Sequence, residues 1–321
     1  VATVFITGGH AGIGLECARQ LAARGYNLIL AGRSPATMQS VADELHAVRD
    51  IDVATVELDL SSLESVRSAA TACGSLIERG VAEPLQALIC NAGGRFDGPP
   101  KYSPEGYELT FATNCLGHFL LLQLLLPMMS ADGRIVFTAS GTHDPNTMDG
   151  KLIGAAVEPS ATALANDGKA GAKPLSVGKR YSTSKLCTVM YAYELARRLD
   201  RAGSSIESIA YDPGSVPETG LSRGLPKVVQ YVAKTSLMYW LSRRIGITTS
   251  TLAFSGAALA ELAVDPQYAS ESGTYFQAQE GQLSKVQSSH TSYDEQRALA
   301  LWDDSKRLVG LLPDEDPAQL G

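Results

Sequence analysis

Ala2-Thr3-Val4-Phe5-Ile6 runs directly into Thr7-Gly8-Gly9-His10-Ala11-Gly12-Ile13-Gly14. A short apolar strand, a glycine-rich turn and a helix start follow one another without a gap. Glycine lets the backbone turn sharply and lets a pyrophosphate approach, and the helix N-terminus behind it favours negative charge. The stretch predicts a dinucleotide site formed by Gly8, His10, Ala11, Gly12, Ile13 and Gly14.

The same alternation continues outward. Runs at 2–7, 27–31, 53–57, 86–90, 133–138, 206–211 and 273–277 read as strands. Stretches at 12–24, 35–48, 62–80, 104–129, 181–202 and 249–265 read as helices. Strands separated by helices need crossovers, which place helices on both faces of a parallel sheet. Right-handed crossovers put ligands at the C-terminal strand ends. The expected fold is α/β, a doubly wound Rossmann sheet in a single domain over 1–312, with a loose tail at 313–321.

With 321 residues, 45% of them hydrophobic, the chain can bury a large core. A net charge of −7 argues against nucleic acid and anionic membranes as partners. Five cysteines without a CxxC pair read as thiols of a reducing, cytoplasmic compartment. Phe119 to Met128 is very apolar but short and interrupted by Gln123 and Pro127, so it reads as a buried helix and not an integral membrane segment. The chain does not open on Met, which leaves a preceding targeting segment open. His10, His118 and His143 have no metal-ligand spacing, and no metal is expected. His118 reads as bonding within its own helix, His143 as lining a pocket near Ser140.

Two stretches break the rhythm. Residues 144–180 are rich in Gly, Ala, Ser, Asn and Pro and lack periodicity. A connection of that length is usually functional or mobile. Residues 215–247 contain the apolar, aromatic run Val228 to Leu241. It reads either as a core helix or, from its place after a strand end, as a cover over substrate. That cover and the insertion point to a bulky, mostly apolar small molecule. No charged anchor stands out, although Arg223 and Lys227 offer themselves to an acidic group.

The second strand ends Leu28-Ile29-Leu30-Ala31-Gly32-Arg33-Ser34, with no acid to hold a ribose 2′-hydroxyl. Gly32 leaves room and Arg33 offers a fork for a 2′-phosphate, so NADP(H) is the expected cofactor, unless Arg33 is an ordinary solvated loop residue. Asp59 and Leu60 follow the third strand. We assign both to the cofactor, but Asp59 has two readings: an acceptor for the adenine amino group, or a cap for the next helix with Ser61 and Ser62.

Tyr181-Ser182-Thr183-Ser184-Lys185 places a phenol and an amine four residues apart, on one face if the segment is helical. Reduction of a ketone sends a hydride to carbon while the oxygen gains charge, so something must protonate that oxygen. A free tyrosine has a pKa of about 10. A neighbouring ammonium is expected to lower it, each unit being worth about 1.4 kcal/mol. Ser140, at the end of Ile135-Val136-Phe137-Thr138-Ala139, is placed to steady the oxygen or is a plain turn serine.

Thr7-Gly8-x-x-x-Gly12-x-Gly14, Asn91-Ala92-Gly93, Asn114, Ser140, Tyr181-x-x-x-Lys185 and Pro213-Gly214 occur in one order across residues 7–214. In this the chain resembles the short-chain dehydrogenase/reductase family. The resemblance implies a seven-stranded parallel sheet and a catalytic group of Asn114, Ser140, Tyr181 and Lys185. It implies that Asn91, Ala92 and Gly93 support the cofactor side. It implies that Pro213, Gly214, Val216 and Thr219 lie near the nicotinamide, and that Tyr181 and Lys185 also meet the cofactor, Lys185 through its ribose. Asn114 would anchor water or backbone beside the lysine, or merely satisfy a kinked helix.

The long spacing between Ser140 and Tyr181 resembles that of monomeric carbonyl reductases and light-dependent protochlorophyllide reductases, in which it can cover the tetramer face. A monomer is therefore expected. Asn114-x-x-Gly117-His118-Phe119, Ser272-Gly273-x-Tyr275-Phe276 and Leu301-Trp302-x-x-Ser305 are also similar to the protochlorophyllide group. That group's cysteine after Pro-Gly is Ser215 here, which weakens a light-driven assignment. Retinol-type and polyketide-type ketoreductases share the remaining pattern. The resemblance implies NADPH-dependent reduction of a ketone or aldehyde, or the reverse. Protochlorophyllide-type C=C reduction and a non-catalytic NADP(H) sensor are the alternatives.

Overall fold

Seven parallel strands and one antiparallel strand form a single sheet in the computed structural model, which describes residues 1–216, 247–317 and 320. They are β1 (Thr3–Thr7), β2 (Asn27–Gly32), β3 (Val53–Glu57), β4 (Leu85–Cys90), β5 (Met129–Thr138), β6 (Glu207–Asp212), β7 (Thr274–Gln279) and β8 (Gln282–Lys285). Their order is β3-β2-β1-β4-β5-β6-β7-β8. The order reverses between β1 and β4, the switch point where such sheets bind ligands.

Both faces are buried, so the inner strands are apolar throughout. Val4 and Ile6 point to one layer and Phe5 to the other, as strand alternation requires. The first layer holds α1 (Gly12–Arg24), α2 (Pro35–Val48) and α8 (Leu252–Val264), through Leu21, Val41 and Leu259 among others. The second holds α3 (Leu63–Glu78), α4 (Leu109–Met128), α7 (Val177–Arg201) and α9 (Glu295–Leu308), through Val66, Phe119, Met190 and Trp302. Gly25, at φ +88, ends α1 by bonding back to Ala22 and Leu21. Pro35 opens α2, and the Ser62 hydroxyl caps α3.

The expected elements recur, the buried helix around Phe119 among them, with four corrections. The sheet has eight strands and is mixed, because the turn at Glu280 and Gly281 folds β8 back along the edge strand β7. The catalytic-helix candidate starts at Val177, capped by the Ser176 hydroxyl, so Tyr181 sits in its second turn and not at its start. The insertion contains α5 (Met148–Ile153) and α6 (Ala161–Ala165), and Ala161, Leu164 and Ala165 are buried in the core. α4 is 20 residues, long and apolar enough to cross a membrane, but most of it is buried between α3 and α7. Among the described residues of the tail, Glu315 grips Arg67 and Leu320 is buried.

Candidate active site

The turn after β1 meets the demand its glycines implied. A side chain on Gly14 would collide with the Gly8 carbonyl, while one on Gly12 would enter open space. Ala11 is the N-cap of α1 and provides no side-chain bond, and the first turn carries no acid. The leading amides therefore point outward as an anion cradle. Ile13 packs partly against the first core layer behind them. His10 lies against Gly32, where a Cβ would come within 2.9 Å of its Nδ1. That nitrogen is buried and has no hydrogen-bond partner among the described residues. Burial, then the charge of Arg33, lowers the pKa of His10. Arg33 is exposed, and no carboxylate among the described residues pairs with it. Glycine cradle, orphaned imidazole nitrogen and unpaired guanidinium fit a dinucleotide bearing an extra phosphate.

Asp59 orders the turn ahead of α3, whose cap is Ser62. Its Oδ1 accepts the Ser61 amide at 2.9 Å and the Ser61 hydroxyl at 2.7 Å. Leu60 is buried, its carbonyl against Gly117 of α4.

At the next strand end, Asn91 donates to the Thr7 carbonyl at 3.1 Å, and the Asn91 and Ala92 amides donate to the Thr7 hydroxyl, each at 2.9 Å. His118 completes this knot. Its Nδ1 faces the Asn114 carbonyl at 3.3 Å, which can only accept, so the neutral ring carries its proton there. Nε2 then accepts from the Thr7 hydroxyl at 3.0 Å. Burial pushes the His118 pKa down to about 4, which keeps the ring neutral. The intrahelical bond was legible in the sequence; the reach across to Thr7 was not.

Asn114 lies in a π-helical turn, Ala112–Leu116, of α4. Its amide exchanges two bonds with Gly94, at 2.9 and 3.0 Å, and donates to the Ser184 hydroxyl at 2.9 Å. A side chain on Gly93 would meet Asn114 Oδ1 at 2.9 Å and Lys185 Nζ at 3.7 Å. Asn114 thus anchors the loop after β4 next to the lysine.

α7 brings Tyr181 and Lys185 to one face, with Nζ 5.9 Å from the phenol ring centroid. Lys185 donates to the Thr138 carbonyl at 2.7 Å, at the end of β5. The Ser140 hydroxyl acts on the phenol from two residues further on. The expected lowering of the Tyr181 pKa by the ammonium is overturned. Burial pushes it up to about 12, against the pull of Ser140 and with a further push from Asp212. Burial also lowers Lys185 to about 8.

His143 bonds the Ser140 carbonyl through Nδ1 at 2.8 Å and accepts the Ser289 amide at Nε2 at 2.9 Å. Both nitrogens are engaged, so the ring is a strut behind Ser140 and not a pocket wall. Asp212, buried at the end of β6, was missed. It accepts from the Gly214 amide at 2.9 Å and from Gln277 at 2.8 Å. The signal was an acid ending an apolar strand. Gly214 sits at φ +71, and a Cβ there would also press on the Ala278 carbonyl, so both backbone conformation and space call for glycine. The Pro213 carbonyl accepts the Ser255 hydroxyl at 2.7 Å, and Val216 is buried. Thr219, Arg223, Lys227 and the run Val228 to Leu241 lie outside the described residues. Tyr191, ten residues beyond Tyr181, bonds Ser305 and packs on Phe119 and Trp302, away from this cluster.

Comparison with known proteins follows the same lines. Residues 2–149 match the family model described as short chain dehydrogenase. Human retinol dehydrogenase 13 is 32% identical, covering 96% of this chain and 85% of its own length. Mouse polyprenol dehydrogenase is 31% identical, covering 95% and 83%. The crystal structure of an uncharacterised protein from Mycobacterium paratuberculosis superposes with a TM-score of 0.69 at 28% identity, over 96% of this chain and 93% of that one.

Proposed function

We infer the reaction from one premise: the chain belongs to the short-chain dehydrogenase family. It is an NADP(H)-dependent oxidoreductase that reduces the carbonyl of a bulky, mostly apolar substrate. The observation that carries this reading is the meeting of Tyr181, Lys185 and Ser140 at the C-terminal strand ends, beside the cradle of Gly8 to Gly14.

The α1 amides would hold the diphosphate, Arg33 and His10 the 2′-phosphate, and Lys185 the nicotinamide ribose. When bound, NADPH supplies the hydride. Tyr181 donates the proton to the substrate oxygen. Its pKa of about 12 keeps the phenol protonated near neutrality, which suits a donor and favours the reductive direction. The Ser140 hydroxyl donates a hydrogen bond to the same oxygen as charge develops there. The Lys185 ammonium, cationic below about pH 8, steadies the phenolate left behind. Asn114 holds the neighbouring loop so that the lysine keeps its place.

Two relatives named for retinol and polyprenol support an apolar substrate. A monomer remains our reading: α9 packs Trp302 on Phe119 and Tyr191, and α6 packs beside it, so the α4–α7 face is covered within the chain. We also propose a reducing, cytoplasmic location, since all five cysteines are buried free thiols.

The test is the loss of NADPH absorbance with a panel of hydrophobic ketones. Turnover that Tyr181→Phe abolishes supports the enzyme. Tight NADPH binding with no turnover on any ketone would favour the sensor, and turnover confined to illuminated protochlorophyllide the light-driven reductase.

A further inference from the structure

We propose that Arg95 is a substrate-recognition residue. Its guanidinium, held at the rim of the catalytic cleft by a loop fastened at Gly94 and Gly98, receives an anionic oxygen of the substrate, a carboxylate or phenolate. This rests on the oxidoreductase reading and adds a second polar point to an otherwise apolar ligand.

The loop after β4 is fixed on both sides of Arg95. Gly94 exchanges two hydrogen bonds with Asn114. The Gly98 carbonyl accepts Arg180 Nη2 at 2.8 Å, and Arg180 immediately precedes Tyr181. Arg180 is itself held in place, buried beside Glu108 at 3.6 Å. Arg95 therefore projects from a short, tethered loop whose two anchors are neighbours of the catalytic group.

The side chain of Arg95 is only 20% exposed, and its buried Nε meets a single carboxylate oxygen, Asp97 Oδ1, without the geometry of a hydrogen bond. The carboxylate nearest to it among the described residues is Asp97, at 3.3 Å, whose side chain is 53% exposed. A water-facing carboxylate contributes little to such a pair and yields readily to a competing anion. The other carboxylates of the site are engaged elsewhere. Asp212 holds Gly214 and Gln277, and Asp149 accepts the Thr248 amide at 3.1 Å. The positive charge of Arg95 is felt at the Tyr181 phenol, where it opposes the upward push of burial. The loop anchors, Gly94 on Asn114 and Gly98 on Arg180, set it beside the same residues. A largely buried guanidinium whose one carboxylate contact is water-facing and poorly directed suits recognition of a second carboxylate.

The test uses aryl ketones carrying a terminal carboxylate on chains of increasing length, each paired with its methyl ester. The wild type is expected to prefer the best acid over its ester by about tenfold to a hundredfold in kcat/KM, mainly through KM. Arg95→Gln should erase that preference, because a change felt through the Tyr181 phenol falls on acid and ester alike while loss of the anchor falls on the acid alone, and Arg95→Lys should keep part of it. Calorimetric binding of the corresponding hydroxy acids and hydroxy esters gives a readout without turnover. Selective binding of the acid that Arg95→Gln removes upholds the anchor even if no ketone is reduced, in which case the oxidoreductase reading falls alone. Equal use of acid and ester at every chain length, or equal losses on both in Arg95→Gln, overturns the anchor and leaves the reductase standing. A weakened NADPH affinity in Arg95→Gln also overturns it, placing Arg95 on the cofactor.

Discussion

The two halves of α7 present the same residue to opposite ends of the molecule's work. Tyr181 and Tyr191 are ten residues apart, roughly 15 Å along the helix. Both are buried, and burial raises both phenol pKa values. Tyr181 faces a serine at a strand end with a buried lysine one turn away. Tyr191 faces the Ser305 hydroxyl and two aromatic rings. Residue type and burial do not separate the phenol we propose as proton donor from a structural one. What lies around the hydroxyl does: a serine just past a strand end and a buried lysine in one case, a serine and two aromatic rings of the core in the other.

The sharpest way to break this division is to delete the first hydroxyl. Tyr181→Phe should lower kcat by about 10²–10⁴-fold, the usual worth of a positioned proton donor, with an unchanged urea midpoint. A large loss of stability instead would put Tyr181 in the structural class. The converse substitution is Trp302→Ala. Its indole meets Phe119 edge-on at 4.9 Å and lies under Arg198 at the same distance. Its loss should cost about 3–5 kcal/mol by urea denaturation while the folded fraction keeps its specific activity.

Lys185 sharpens the comparison through pH. Its pKa of about 8 means the site loses its cation as pH rises through that value. In the reductive direction kcat/KM should therefore fall above pH 8, approaching about tenfold per pH unit. Stability should move the other way. Between pH 8 and the ordinary lysine value the unfolded chain holds a proton that the folded chain lacks, so this group adds stability as pH rises. Lys185→Met should remove the stability rise over that window; retention of the full rise would show that another group produces it.

How much of this was legible depends on whether a signal is local. The glycine turn, the strand ends and the Tyr-x-x-x-Lys spacing are local patterns; they located the sheet, and the residues they named for the candidate site lie together at one end of it. Four features were not local. β8 is a four-residue edge strand with mixed polarity, too short for periodicity to register. The π turn around Asn114 leaves no mark in an apolar run. Arg95 looks like any loop arginine until Asn114 and Arg180 are seen to fasten its loop. The Tyr181 pKa was misjudged because the sequence shows a lysine four residues away but not the burial that outweighs it.

The smallest effect tests the comparison from the other side. Tyr191→Phe removes one buried hydroxyl from the Ser305 contact. Ser305 keeps a partner, because its hydroxyl also donates to the Leu301 carbonyl at 2.6 Å. No polar group is left stranded, so the cost should be that of a single net hydrogen bond, about 0.5–1.5 kcal/mol by urea denaturation. The ring contacts with Phe119 and Trp302 survive in phenylalanine. Ketone reduction should run at the wild-type rate with an unshifted pH profile. A hundredfold drop in kcat at unchanged stability would mean that the proton comes from the second tyrosine of α7, and that the first one is the strut.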